Sequence, residues 1–236
     1  MTKLLILALV ISTSVDTMAQ LNLNKLKKAI GGESLSTEDI ASGLKEALEK
    51  GTSKGADLVS QLDGYYKNPE IMIPFPAEVK QVEDRLRQIG LGSEVDKFVE
   101  SLNRAAEDAA KEAKPIFISA IKQMTIQDAW SILKGNDDAA TQYLNRTTSP
   151  LLKEKFMPVV RASLSKVNAT RYYTELVTKY NKIPFVQKVN PNLDEYATEK
   201  AIKGLFVMIA QEEKNIRKNP GARTSDLLKK VFNSSN

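Results

Sequence analysis

The chain reads as an all-α protein, a single compact multi-helix bundle of roughly eight to ten helices around a buried central C-terminal helix. Three observations carry that expectation. Apolar residues recur with helical period, and no stretch alternates in the manner of a half-buried strand. Punctuation is regular, with cap residues ahead of apolar runs and Gly or Pro behind them. Residues 103–117, NRAAEDAAKEAKPIF, set Ala105, Ala106, Ala109, Ala110 and Ala113 on one helical face, where small side chains admit a close neighbour.

Taken in order, LSTEDIASGLKEALEK opens the first helix with Ser36 as N-cap and Asp39 three residues on. Its apolar stripe is Ile40, Leu44, Ala47 and Leu48, then Leu58, Val59 and Leu62. Gly51 and Gly55 each weaken a helix by about 1 kcal/mol relative to Ala, which predicts a break or bend there. Their alternative reading is a close approach of another backbone. Residues 63–79, DGYYKNPEIMIPFPAEV, are irregular, because Pro69, Pro74 and Pro76 remove donors and force extended backbone before each ring. A segment that also carries Tyr65, Tyr66, Ile71, Met72, Ile73 and Phe75 must lie on the body of the protein or on a ligand. Residues 68–77 therefore read as a lid over the core.

Helix resumes over 77–89 with Gly90 as stop, and again from Glu94 behind Ser93. The second of these holds the alanine stripe, and its outer face offers Arg104–Asp108 and Glu107–Lys111 as i,i+4 pairs. Pro115 starts the next helix, with Ile116, Phe117, Ile118 and Ile121 for the core. Thr125 caps TIQDAWSILKG, with Asp128 at the box position and Gly135 as stop. Asp137 or Asp138 caps DAATQYLNR. Ser149-Pro150 opens LLKEKFMPVVRASLSKV, which Pro158 is expected to kink or split. NATRYYTELVTKYN follows, then the loop KIPFVQKVNPNLD. Asp194 begins a long helix through Lys218, and its centre GLFVMIA, apolar on every side, predicts neighbours all round. TSDLLKKVF closes the chain as a short amphipathic helix. No internal repeat and no interdomain linker interrupts residues 20–236, which read as one domain.

The first 19 residues read as a cleaved signal peptide. Lys3 gives a positive start, the run from Leu4 to Ile11 is unbroken and apolar, and Thr17 and Ala19 form a small-residue cleavage pattern ahead of Gln20. Eight apolar residues fall short of the ~20 that a membrane span needs, so the mature protein is expected to be soluble and exported. Cysteine and histidine are both absent. Disulfides, thiolate metal sites, Ser-His-Asp catalysis and histidine-zinc chemistry are thereby excluded. The formal charge of +5 has no dense basic block, so no nucleic-acid partner is expected. LNKLKKAI, residues 23–30, comes nearest; it reads as a solvated helix face, with peripheral contact to an anionic membrane as the alternative.

Several phrases carry a family resemblance: NRAAEDAAKEAKPIFISAIKQMT, DAWSILKGNDDAATQYL, RYYTELVTKYN and TEKAIKGLFVMIAQEEKNIRKNPGARTSDLLKKVF. Together, over about residues 35–232, the chain resembles a family of exported bacterial proteins known as domain of unknown function 4197. The resemblance implies a helical protein of Gram-negative bacteria that is periplasmic or otherwise envelope-associated. It supplies no activity, ligand or catalytic residue. Some members end their leader at a lipidated cysteine, and this chain has none.

Candidate binding residues fall into three groups. Arg171, Tyr172 and Tyr173, with Tyr180 two turns on, are suited to stacking on or hydrogen-bonding a planar or anionic ligand; a packed Tyr173 and a solvated Arg171 are the structural alternative. Glu199, Glu212 and Glu213 flank the apolar centre of the long helix, where carboxylates can act as acid or base or bind a hard cation; the i,i+4 pair Glu213–Arg217 is the ordinary reading. Asn103 and Arg104 head the alanine stripe and, if buried, need partners such as backbone carbonyls or Glu107, which makes a structural network the default. Asn136, Asp137 and Asp138 read as a glycine stop followed by a helix cap rather than as calcium ligands. No metal and no cofactor is expected. The foremost function is a non-catalytic module binding a partner or apolar ligand; the alternatives are a structural oligomer, favoured by an exposed alanine stripe, and a hydrolase or lyase using Glu and Tyr.

Overall fold

A computed structural model describes residues 36–182, 184, 185, 187–223, 225, 226 and 229. The expected leader, the basic segment 23–30 and most of the expected closing helix over 224–232 lie outside them. Among these residues eight α-helices follow one another: α1 (Thr37–Ser60), α2 (Lys80–Gln88), α3 (Gly92–Ala110), α4 (Ala113–Gln123), α5 (Ile126–Leu133), α6 (Ala139–Lys166), α7 (Ala169–Tyr180) and α8 (Leu193–Lys218). Short 3-10 turns occupy Ala77–Val79 and Pro220–Ala222, and no strand occurs among the described residues.

At the centre lies α8, packed against α6, α1, α3 and α7. Leu193, Ala197, Ala201, Leu205 and Ile209 form its buried row. Helix α3 fits between α6, α8 and α1 because of its alanines. All five residues of the stripe are 0–1% exposed, so the contact partners lie within this chain. The glycines of α1 do not break it. They carry the buried stripe onward and let α8 approach: a Cβ on Gly51 would stand 3.1 Å from the Ile216 side chain, and one on Gly55 would stand 3.3 Å from that of Ile209 and 3.6 Å from its backbone nitrogen. The expected bend is thus replaced by the close approach, since the cost of glycine is offset by the packing of two long helices. The stripe also ends earlier than expected; α1 stops at Ser60 and leaves Leu62 exposed.

Helix α6 runs through both of its prolines as one 28-residue element, where a start at Pro150 and a kink or split at Pro158 were expected. Its buried row, Leu144, Thr148, Leu152, Phe156, Val160 and Leu164, recurs every fourth residue. Pro150 and Pro158 each sit two positions past a buried residue, about 200° round the helix on the exposed side. There the carbonyls they leave without a partner, those of Arg146 and Glu154, belong to exposed residues and turn toward water.

Helix ends follow the local chemistry with few departures. Thr125 and Asp128 form the expected capping box at 3.1 and 3.0 Å. Gly90, at φ +88°, ends α2 in a Schellman motif in which the Leu91 and Gly90 N–H groups donate to the Leu86 and Arg87 carbonyls. Ser93 does not cap α3, which begins at Gly92, and the Ser93 hydroxyl donates to Glu94 instead. The next helix starts at Ala113, two residues before Pro115. The apolar centre of α8 is buried at Gly204, Leu205, Phe206 and Ile209, while Ile202, Val207, Met208 and Ala210 remain half-buried. Neighbours therefore surround it on most sides rather than on all.

Candidate functional site

The irregular segment between α1 and α2 is a strap laid over α3 and α8. Tyr65, Ile71, Ile73 and Phe75 are buried beneath it, so its apolar residues fill the core. The Tyr65 hydroxyl donates to the Ala201 carbonyl at 2.6 Å, and its ring rests where a Cβ on Gly204 would come within 2.7 Å. Three candidates from the sequence meet here. Asn103 clamps Ile73 on both sides, accepting from its N–H at 2.8 Å and donating to its carbonyl at 2.9 Å. One oxygen of Glu107 accepts the N–H groups of Tyr65 and Tyr66, both at 3.1 Å. The other accepts from Arg104 at 2.8 Å.

Arg104 also reaches Asp63 at 2.7 Å and Glu100 at 3.1 Å and covers the Tyr66 ring. Burial opposes its charge, but the three carboxylates outweigh burial and hold its pKa above the ordinary value. Neither i,i+4 pair expected on this helix forms. Arg104 pairs with Glu107 three residues on, and Asp108 pairs with Lys111 and accepts from Ser163. The reason is the strap: its unpaired backbone donors draw Glu107 inward, away from Lys111. No buried side-chain nitrogen or oxygen among the described residues lacks a hydrogen-bond partner.

The remaining candidates do not converge. Arg171 is exposed and pairs with Glu175 at 3.1 Å, and Tyr172 is exposed beside it. Tyr173 is buried, with its ring 6.3 Å from that of Phe98; burial first, then the nearby Glu78 carboxylate, pushes its pKa up to about 12. Tyr180 is half-buried at the end of α7. Glu199 pairs with Lys153 of α6 at 3.2 Å, whereas Glu212 pairs with Lys54 of α1 at 2.9 Å, on a different side of α8. Asp137 is drawn to Lys218, which lowers its pKa, and Asp138 accepts from Gln142. No group of three or more carboxylates within reach of one metal ion occurs among the described residues.

Two features escaped sequence reasoning. The first is Glu213, paired with Arg217 as expected but also the N-terminal cap of α6. It accepts from the Ala140 and Thr141 N–H groups at 2.9 and 2.8 Å and from the Thr141 hydroxyl at 2.7 Å. Asp138, at the cap position itself, makes no side-chain cap bond. Nothing in the spacing of letters 72 and 73 residues apart signals such a cap. The second is an open groove of about 470 Å³ between α6 and α8. Ile202, Phe206, Val207 and Ala210 supply its apolar floor, and Asn145, Ser149 and Lys153, four residues apart on α6, supply a polar wall. Glu199 and Lys203 stand at its edge. Its sequence signal was GLFVMIA, an apolar run wider than the stripe one neighbouring helix covers. A larger groove of about 630 Å³ along α1 is lined chiefly by charged and polar side chains, with Lys54 already paired to Glu212.

A helical scaffold whose buried polar side chains, among the described residues, are all hydrogen-bonded and which carries an apolar surface groove is what these elements define. The chain belongs to the family described as protein of unknown function (DUF4197), whose model matches residues 34–233. Comparison with curated proteins and with solved structures found no match to either.

Proposed function

We propose that this chain is an exported, non-catalytic binding module of the cell envelope, and that the groove between α6 and α8 receives an amphipathic ligand or partner segment. The observation that carries the proposal is the apolar row Ile202, Val207 and Ala210, left half-buried over the buried Phe206 opposite a polar wall. One side of the occupant lies on that row, and its polar side meets Asn145, Ser149 and Lys203. At about 470 Å³ the groove is of the size that holds a small ligand or the anchor side chains of a helix. In support, the carboxylates and tyrosines best placed for chemistry are separated from one another and engaged in ion pairs or packing. The oligomer reading loses its support, because the alanine stripe is covered inside the chain.

Native mass spectrometry of the protein purified from its own cells tests both halves. The expected spectrum shows a mature mass beginning at Gln20 and an additional bound mass. The bound mass should be absent from the Val207→Asp variant, whose half-buried position tolerates a charge. A retained Met1 would refute export with cleavage. A bound mass unchanged by the substitution, or none in the parent, would refute the groove.

A further inference from the structure

The loop after α7 presents an apolar tip inside a basic frame. Its base is closed by Asn181, whose amide donates to the Val189 carbonyl at 2.7 Å while its oxygen accepts from the Val189 N–H at 2.8 Å. Val189 is buried, so both stems are fixed to the body. Between the stems Phe185 is wholly exposed, at φ +66°. A fully exposed phenylalanine forgoes the free energy that burying its ring would gain, which contact with water alone leaves unrecovered.

The charges around it are one-sided. Between residues 167 and 193 stand Arg171, Lys179, Lys182 and Lys188 against the single carboxylate Glu175, a local net charge of +3 out of +5 for the whole chain. Glu175 is taken by Arg171, which leaves the three lysines nearest the tip without an ion pair among the described residues. Lys188 donates only to the Asn181 carbonyl, which leaves its charge uncompensated. Tyr172 and Lys179, seven residues apart, share the exposed outer face of α7 that leads to the tip.

We infer that this end of the bundle docks reversibly on an anionic lipid bilayer, with Phe185 entering the interface and Lys179, Lys182 and Lys188 meeting the headgroups. Lysine stems lie along apolar surface while their ammonium groups stay at the charged boundary, and tyrosine suits the same depth. One apolar anchor alone holds weakly; joined to a basic patch it gives the two signals that peripheral attachment needs. Single-stranded nucleic acid fits the loop less well. It asks for successive aromatic platforms, whereas a single ring stands at this tip and the nearby Asn181 amide is engaged in closing the loop.

Flotation with vesicles of phosphatidylcholine mixed with phosphatidylglycerol tests the inference on the full chain. The parent should bind these vesicles and bind phosphatidylcholine alone more weakly, with the difference removed by high salt. Phe185→Ser should lower the partition coefficient about tenfold without moving Tm, because the ring contacts nothing it would destabilise. Lys179→Gln, Lys182→Gln and Lys188→Gln should each lower it about fivefold. Brominated lipid should quench the added emission of the Phe185→Trp variant, which reports insertion at this loop independently of any other segment. Equal partitioning of parent and variants, an unquenched Phe185→Trp variant, or binding of an oligothymidine in place of vesicles would each overturn it.

Discussion

Gly204→Ala is the most direct probe of how the strap is seated. A Cβ at this position would stand 2.7 Å from Cε1 of Tyr65 and 3.1 Å from Cβ of Ile71. Carbon atoms in contact prefer about 3.5–4.0 Å, so the ring must retreat by roughly 1 Å. Tyr65 has nowhere to go, being fully buried and tied by its hydroxyl to the Ala201 carbonyl. Overpacking costs about 1–3 kcal/mol, and disturbing that hydrogen bond about 0.5–1.5 kcal/mol. Replacing glycine inside a helix returns about 1 kcal/mol. The net is a loss of about 1–3 kcal/mol, or about 2–12 °C in Tm for a chain of this size. Gly92→Ala is the control, because its Cβ would meet only a guanidinium nitrogen of Arg87 at 3.8 Å, an ordinary contact. Thermal unfolding by circular dichroism compares the two. In a Tyr65→Leu background the Gly204→Ala penalty should shrink, which isolates the ring as its cause. Equal Tm values for Gly204→Ala and Gly92→Ala would refute the reasoning.

Three further outcomes are expected. Ala109→Leu should overpack the α3 contact and cost about 1–3 kcal/mol in urea melts, whereas Lys111→Leu, on the solvent side, should cost less than about 0.5 kcal/mol; equal midpoints would leave the stripe uncovered. Glu107→Ala should orphan the Tyr65 and Tyr66 N–H groups, cost about 2–5 kcal/mol and accelerate amide exchange at both, and a cost below about 1 kcal/mol would contradict the latch. In acid, Asp128 has its pKa lowered first by the Thr125 hydroxyl and then by the Thr125 N–H, and Asp108 first by Lys111 and then by Ser163. A lowered folded pKa adds stability that is complete above the unfolded value of about 3.9 and lost as pH falls through the folded one, so stability should decline below about pH 4. Asp128→Asn should flatten that acid limb, and an unchanged limb would argue against the box.

Local chemistry made much of this fold legible. The Thr125 box, the Gly90 stop and the alanine face as far as Ala110 follow from residues within a few positions of one another and stand where the sequence puts them, whereas Ala113, though buried as expected, opens the next helix. Tertiary decisions were not legible. Gly51 and Gly55 read first as a break or bend until Ile209 and Ile216 are known to face them. The prolines of α6 read as boundaries because nothing local reveals that they fall on its wet side. At the strap, Asn103 and Arg104 were singled out correctly as residues needing partners, and Glu107 as one such partner of Arg104, but nothing local shows that Asn103 and Glu107 also hold backbone groups some 30 to 42 residues away. The α6–α8 groove stayed hidden for a related reason. An apolar run shows that several neighbours are wanted, but not that one place is left open.

The capping of α6 by Glu213 has a consequence for the order in which this molecule can be made. The residue that satisfies the Ala140 N–H is synthesised 73 residues after it, and the carbonyl that anchors Tyr65 comes 136 residues after that tyrosine. At about 5–20 residues per second, several seconds separate the start of α6 from its cap. During that interval α1, the strap and α6 can form helical turns but cannot close over a core whose central helix does not yet exist. A polypeptide built this way stays threadable until its last long helix emerges. That delay suits the export proposed above, in which the chain would pass through a membrane pore before it folds.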